Sequence, residues 1–303
     1  MSISDKGAYV DRRGWKVADY DLVSGAGSQA VERGLAAASW YHTDVDRLTM
    51  KALMQRTDGP ATRDAIIWIA LLAGFGASAA WLTTVNGWLS IPFWLVYGLF
   101  AASASDARWH ECGHGTAFKT RWKNKAIYHI ASFYLFRNPV AWRRSHSRHH
   151  SDTIIVGRDP EIAYMRPPDL AVALLNIFGL QDGPAQLRRM VIFALGKRDP
   201  SVETYVPEWE WPTIHRDARI HLGIHLTSAI ASLALWSPVP LLLTTLPRFY
   251  GSWHMWLTGL TQHAGLANNV LDHRLNTRTV YMNRINRFIY LNMNYHVEHH
   301  MYP

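Results

Sequence analysis

Uncharged apolar stretches alternate along the chain with segments dense in Arg, Lys and His, and this alternation predicts its elements. Residues 66–85 contain no charged side chain. As a helix rising ~1.5 Å per residue, they can cross a ~30 Å hydrocarbon layer. Asn86-Gly87 signals a turn, and a second uncharged run, 88–105, leads straight into Asp106 and Arg108. The pair predicts a helical hairpin with a very short tip. A second hairpin is predicted with arms at 222–236 and 241–260, joined through Ser237-Pro238-Val239-Pro240. Pro247 and Arg248 interrupt its second arm, and an Arg at that depth is expected to face the protein interior or a wet cavity.

The expected fold is all-α: a bundle of four transmembrane helices, made of two hairpins, under a helical cap. Residues 1–63 read as an N-terminal arm and 64–303 as the membrane domain, with the cap formed by 106–220 and 263–303. In the arm, Val45, Leu48, Leu53 and Met54 share one face of a predicted helix that Asp58-Gly59-Pro60 ends. The first sixty residues contain no long apolar run, so no cleavable leader is expected. Two apolar patches in the cap, 126–136 and 170–180, are too short to span and read as packed or interfacial. Both hairpin tips lack Lys and Arg, and every basic residue except Arg248 lies in the arm, the cap or the tail. The positive-inside rule therefore assigns both termini and the cap to the cytoplasm. No internal repeat or low-complexity tract is evident.

The mean hydropathy of −0.10 is polar for such a bundle, but it averages over the two kinds of segment. Charged residues make up only 18%, and 14 Trp with 13 Tyr suit a chain that meets a membrane interface. A net charge of +8 fits anionic lipid or an acidic partner protein. Nucleic acid is disfavoured, because no zinc-finger spacing, RNA-binding signature or basic-region heptad accompanies the charge. The single cysteine, Cys112, rules out an internal disulfide.

Half of the 16 histidines fall into three groups: His110-Glu111-Cys112-Gly113-His114, His146-Ser147-Arg148-His149-His150 and His296-Val297-Glu298-His299-His300. On a helix, positions i and i+3 or i+4 share a face and can reach one ion. Adjacent pairs such as His149/His150 and His299/His300 diverge by ~100° and suit two neighbouring ions. Eight imidazoles also exceed the needs of one four-coordinate zinc. The predicted topology returns all three groups to one membrane face.

The three groups resemble the histidine boxes of the membrane fatty acid desaturase superfamily. So do His149-His150-Ser151-Asp152-Thr153 with Arg158-Asp159-Pro160-Glu161, and Asn294-Tyr295-His296 leading into Met301-Tyr302-Pro303. The resemblance implies two non-haem irons and O₂, a fatty acyl or lipid substrate, and a separate electron donor of the ferredoxin or cytochrome b5 type. It implies a metal set of His110, His114, His146, His149, His150, His296, His299 and His300, with His263 as a further ligand near the fourth span. Members usually continue beyond the third box, so a reduced cap or a shortened chain is expected at Pro303.

Metal-bound imidazoles usually donate their other N–H to a carboxylate or carbonyl. Asp106 and Asp159 are the expected acceptors, with Asp152 and Glu298 behind them, and Asn294 is a candidate holder of a metal-bound water. Arg143, Arg144 and Arg148 read either as contacts for an acidic donor or a phosphate, or as ordinary cytoplasmic-face cations. His221 and His225 read as an interfacial patch; His254 is a second candidate for the further ligand, but its Trp253 and Trp256 surroundings favour a packed histidine. His42, His129, His215 and His273 read as plain surface or satisfied residues. Box one alone matches a zinc protease pattern with Glu111 as general base, but that reading leaves six box histidines idle. A hydroxylase of the same superfamily is the main alternative to a desaturase. A metal transporter or sensor is the alternative of a different class; its ligands should lie within the spans rather than just outside them.

Overall fold

The computed structural model describes residues 8–10, 16–162 and 165–303; residues 1–7 and 11–15 of the expected N-terminal arm and residues 163–164 of the cap lie outside the described residues. One departure from an all-α chain occurs at the start. Strands β1 (Ala8–Val10) and β2 (Lys16–Ala18) pair antiparallel. All other regular elements among the described residues are helical.

Short helices α1 (Ala26–Glu32) and α2 (Arg47–Leu53) precede the first long one. The apolar face predicted for α2 forms but covers nothing, since Leu48, Leu53 and Met54 are all exposed. The arm docks through α1 instead. Tyr20, Ala26 and Val156 form a small cluster, and a Cβ on Gly27 would lie 2.8 Å from the Gly157 carbonyl oxygen.

Helix α3 (Gly59–Val85) begins earlier than the uncharged run, with Pro60 in its first turn, where proline needs no backbone partner. Asn86 then caps α4 (Gly87–Gly98), its Oδ1 accepting from the Trp88 and Leu89 N–H groups at 3.0 and 3.4 Å. A π-turn (Leu99–Ser103) joins α4 to α5 (Ala104–His114) without a break. The Phe100 carbonyl in that turn accepts from the buried Trp68 indole at 2.9 Å. Both α3 and the continuous Gly87–His114 helix are long and apolar enough to cross a membrane.

Helices α6 (Arg121–Tyr134) and α7 (Pro139–Ser151) pack below this hairpin, and α6 takes in most of the 126–136 patch. Helix α8 (Leu170–Leu175) and a 3₁₀ turn (Asn176–Phe178) form the second patch. After α9 (Asp182–Ala194) and α10 (Pro200–Glu203) comes the long α11, Trp211–Ala234. It starts well before the predicted residue 222 and includes Arg216, Asp217 and Arg219, charges that had suggested a boundary. The predicted arm 241–260 is not one helix. It divides into α12 (Val239–Thr244), α13 (Pro247–Tyr250) and α14 (Trp253–His263).

Arg248 explains part of that division. It is only 1% exposed, pairs with Asp182 and donates to Ser252 Oγ at 2.6 Å. Gly251 explains another part, because a Cβ there would overlap the Gly98 carbonyl, so the two backbones touch. Small helices α15 (His273–Asn276), α16 (Arg284–Ile289) and α17 (His296–Met301) complete the chain.

Two cores hold these pieces. One gathers Trp68, Trp94, Phe100, Tyr128 and Leu135 around the first hairpin. The other gathers Phe136, Phe193, Trp211 and Ile214 between α9 and α11. Outward, Ile66 is 62% exposed, Trp88 83%, Leu233 75% and Trp236 96%. Large apolar side chains turned outward on long helices suit lipid rather than water.

The Gly98–Gly251 contact predicts that Gly251→Ala destabilises the protein by roughly 1–3 kcal/mol through overpacking. Gly223→Ala, in open space on α11, should instead leave stability unchanged or raise it by up to ~1 kcal/mol. Thermal unfolding in detergent micelles measures both.

Candidate metal centre

The histidine groups sit where helices stop. Gly115, at φ 72°, ends α5 one residue after His114; the left-handed region it occupies suits glycine. Asn138 caps α7, its Oδ1 accepting from the Val140 and Ala141 N–H groups at 3.2 and 3.1 Å. Pro139 fills the first helical position, and His146, His149 and His150 fall in the last turns. A bridge between Thr279 and Tyr295 aligns the chain just before α17, which carries the third group. His263 is the last residue of α14.

These ends bring all nine sequence-predicted imidazoles together. One ligand atom each from His110, His114, His146, His150 and His299 lies within 4.8 Å of the others, and the same holds for His149, His263 and His300. His296 Nε2 lies 3.2 Å from His263 Nε2 and 3.3 Å from His300 Nε2. The groups adjoin, with the His150 and His300 rings 4.4 Å apart. Each adjacent pair divides between them: His149 and His300 face one group, His150 and His299 the other.

Most of the remaining ring nitrogens are held from behind. His149 Nδ1 donates to the Asp159 carboxylate at 2.9 and 3.0 Å, which also accepts from the Ile154 and Glu161 N–H groups. His146 Nδ1 donates to Glu161 at 3.0 Å, and His110 Nδ1 to Glu111 at 2.9 Å. The Asn276 carbonyl accepts from His263 Nδ1 at 2.8 Å, and Thr153 Oγ1 lies 3.2 Å from His300 Nδ1. Sequence reasoning found Asp159 and missed Glu161, Thr153 and Asn276. Glu161 was visible only as part of a motif string. Loops bring Thr153 and Asn276 to their imidazoles, and no helical spacing reports loop geometry.

Asp106 is a correction. It stands one turn before His110 but pairs with Arg137 at 2.6 Å; that guanidinium lies over Trp109 and Trp142, which leaves the carboxylate committed. Asn294 gives its amide to the Val280 carbonyl at 2.7 Å, while its buried Oδ1 has no partner. Asp152 binds Arg148 and Arg158, and Glu298 accepts from Thr279. Arg144 is engaged by Glu210 and Arg148 by the Thr204 carbonyl. His225 stacks on Phe133 and bonds Thr245 rather than lying at a surface. His254 is packed and bonded to Asn286. His273 is buried beside His300 rather than at the surface.

Charge follows the same geometry. Burial pushes the Glu161 carboxyl up, but the His146 imidazole outweighs this by charge and hydrogen bond and holds it at about 2. Burial pushes His149 down, and Asp159 overcomes it to give about 8. His150, His296, His299 and His300 are held well below the usual imidazole range, first by burial and then by their neighbours. They present neutral nitrogens, the form that binds metal.

The donor set fits metal ions. Nε2–Nε2 separations are 3.0 Å for His114–His146 and His150–His299, and 3.2 Å for His146–His150. For metal–imidazole bonds of ~2.1 Å, ligands at right angles stand ~3.0 Å apart. His110 Nε2 is buried within the first group without a partner. Imidazole donors suit iron, copper, nickel or zinc. A cavity of about 400 Å³ opens onto this group, lined by Trp109, Tyr128 and Arg143 with His110, His114 and His150.

Four histidine-bearing helix ends meeting beside a long apolar hairpin define a candidate dinuclear metal protein. The chain belongs to the fatty acid desaturase family, which residues 86–303 match. It is similar to the sn-1 acyl-lipid omega-3 desaturase (ferredoxin) of Synechocystis, 36% identical over 86 residues, 28% of this chain and 23% of that protein. It is similar to the sn-1 oleoyl-lipid 12-desaturase of Anabaena variabilis, 24% identical over 140 residues, 46% of this chain and 39% of that one. The Delta(12) fatty acid desaturase fat-2 of Caenorhabditis elegans is 29% identical over 89 residues, 29% of this chain and 24% of that one. The chain thus spans well under half the length of each of these relatives.

Two predictions follow from the nitrogens' surroundings. Asp159→Ala and Glu161→Ala should each weaken metal affinity by roughly 10–100-fold, read as metal retained against a chelator. Metal-free protein should lose thermal stability from about pH 7.5 to about pH 5.5. As pH falls through ~6.5, the unfolded chain protonates His150, His296, His299 and His300 while the folded chain does not, so acid favours unfolding. His149 acts in the opposite sense, its stabilising contribution being present at low pH and lost above about 8, but it is one group against four. A melting temperature that rises on acidification would contradict this.

Proposed function

We propose that the chain is an O₂-dependent, membrane-embedded di-iron desaturase that introduces a double bond into a fatty acyl or lipid chain. In this reading α3, the α4–α5 helix, α11 and the broken α12–α14 arm are four spans. Both termini and the metal centre face the cytoplasm. The observation that carries the reading is the convergence of eight imidazoles into two adjoining groups, with His296 beside the second, next to a cavity at the end of an apolar hairpin. Desaturases that act on acyl lipids or fatty acids stand among the relatives, and one is named with ferredoxin, which supports an external electron source.

His110, His114, His146, His150 and His299 would hold one iron, and His149, His263 and His300 the other, with His296 beside His263 and His300. Two irons there supply the activation of O₂ needed to remove hydrogen from an unactivated carbon. The protein does the remaining work. Asp159, Glu161 and Glu111 fix the direction of His149, His146 and His110, so their metal-facing nitrogens cannot turn away. Trp109 and Tyr128 give the cavity an aromatic wall suited to an alkyl chain, and the position of that chain decides which carbons lose hydrogen. Overall, one O₂, two electrons and two protons convert a CH₂–CH₂ unit to an alkene and two waters.

Mass spectrometry of lipids from a host expressing the protein tests this. Loss of two hydrogens from an acyl chain is the expected product; gain of one oxygen would make the protein a hydroxylase. Purified protein should carry about two irons per chain, set by the two groups. His149→Ala should lower iron content and abolish product formation, and unchanged iron and turnover would remove His149 from the ligand set.

A further inference from the structure

The two metal-facing groups have different outer sides. The first opens onto the 400 Å³ cavity. The second is covered by an N-terminal strap. The Tyr41 N–H donates to the Leu271 carbonyl at 2.9 Å, Arg274 lies over the Tyr41 ring at 3.6 Å, and the Tyr302 hydroxyl donates to the Thr43 carbonyl. The Trp40 indole N–H donates to the Ser151 carbonyl at 3.1 Å, directly after the second histidine group.

Within this strap Trp40 lies flat on His273, ring centroids 4.3 Å apart and planes 5° from parallel. His273 is 2% exposed and its ring is 5.1 Å from that of His300. Trp40 is only half-buried. A partner protein can therefore reach the indole and cannot reach His273 or His300. None of these contacts holds His300 by a hydrogen bond, since Thr153 serves its Nδ1. What these rings add is a short relay from the surface to the second group, Trp40 stacked on His273 and His273 tilted by 38° beside His300.

We infer that Trp40, stacked on His273, is the entry point for electrons from a one-electron carrier protein. The inference rests on the di-iron reading above. One electron leaves the iron–sulfur cluster of reduced ferredoxin, which is oxidised. It would cross Trp40 and His273 and reduce to ferrous the ferric ion that His300 would help to hold. Two such transfers supply the two electrons that O₂ needs beyond those of the broken C–H bonds. Substrate and electrons thus approach different groups, the cavity opening onto the first and the Trp40–His273 stack leading to the second.

Two substitutions and two reductants test this, read as the optical or EPR change of bound iron under anaerobic conditions rather than as turnover. Trp40→Leu should slow reduction by ferredoxin about tenfold, equivalent to ~1.4 kcal/mol of barrier, and Trp40→Phe should stay within about threefold of the parent. Iron per chain and the rate with dithionite, which is small enough to enter through the cavity, should not change in either variant. Ferredoxin reducing Trp40→Leu at the parent rate overturns the inference. So does a parallel fall of iron content and of both rates, which would make Trp40 a packing residue. Parent protein that binds no iron overturns the di-iron reading itself, and the route with it.

Discussion

Gathering nine imidazoles in a largely dry interior, with several metal-facing nitrogens 3.0–3.3 Å apart, is unfavourable for the polypeptide alone. Lone pairs that lose water need a positive partner. The folded chain must therefore hold these rings against their own preference, and an ion that binds there returns the energy as stability. Two apolar cores, one around Trp68 and Tyr128 and the other around Phe193 and Ile214, supply the rigidity. The carboxylates of Asp159, Glu161 and Glu111 and the carbonyl of Asn276 supply the orientation.

Buried cations serve the same scaffold without entering the site. Arg137 reaches from the end of α6 to Asp106 on α5 and lies over Trp109 and Trp142, so charge and ring faces together lock α5 against α7. Arg248 does the equivalent between the broken arm and α9 through Asp182. The break in that arm is thus part of the fold's connectivity: it lets Arg248 pair internally with Asp182 and Ser252 and brings Gly251 against Gly98.

The first hairpin was legible because two signals coincide there, a long absence of charge and an Asn-Gly tip whose amide caps the next helix. The second was legible in position but not in form. The charges of Arg216, Asp217 and Arg219 hid the first half of α11, and Pro247, Arg248 and Gly251 together mark an interruption that hydropathy alone reads as a continuous span. In the site, the division of His149 from His150 and of His299 from His300 followed from helical angle alone. Partners across loops did not. Asp106 has the right helical spacing for His110, but a cation from another helix claims it. Glu161 has no periodic relation to His146 and bonds it nonetheless.

The π-turn at Leu99–Ser103 adds a constraint of a different kind. Such a turn holds one residue more than regular winding would, and each residue advances a helix by ~100°. His110 and His114 lie on the same unbroken helix, a few turns beyond it. Their aim at the centre is therefore set by how many residues precede them as well as by what those residues are. A single deletion in this segment would leave the hairpin as greasy and as long as before, yet swing the first histidine pair about a quarter-turn away from its partners. Conservative exchanges there are tolerable in a way that a change of length is not.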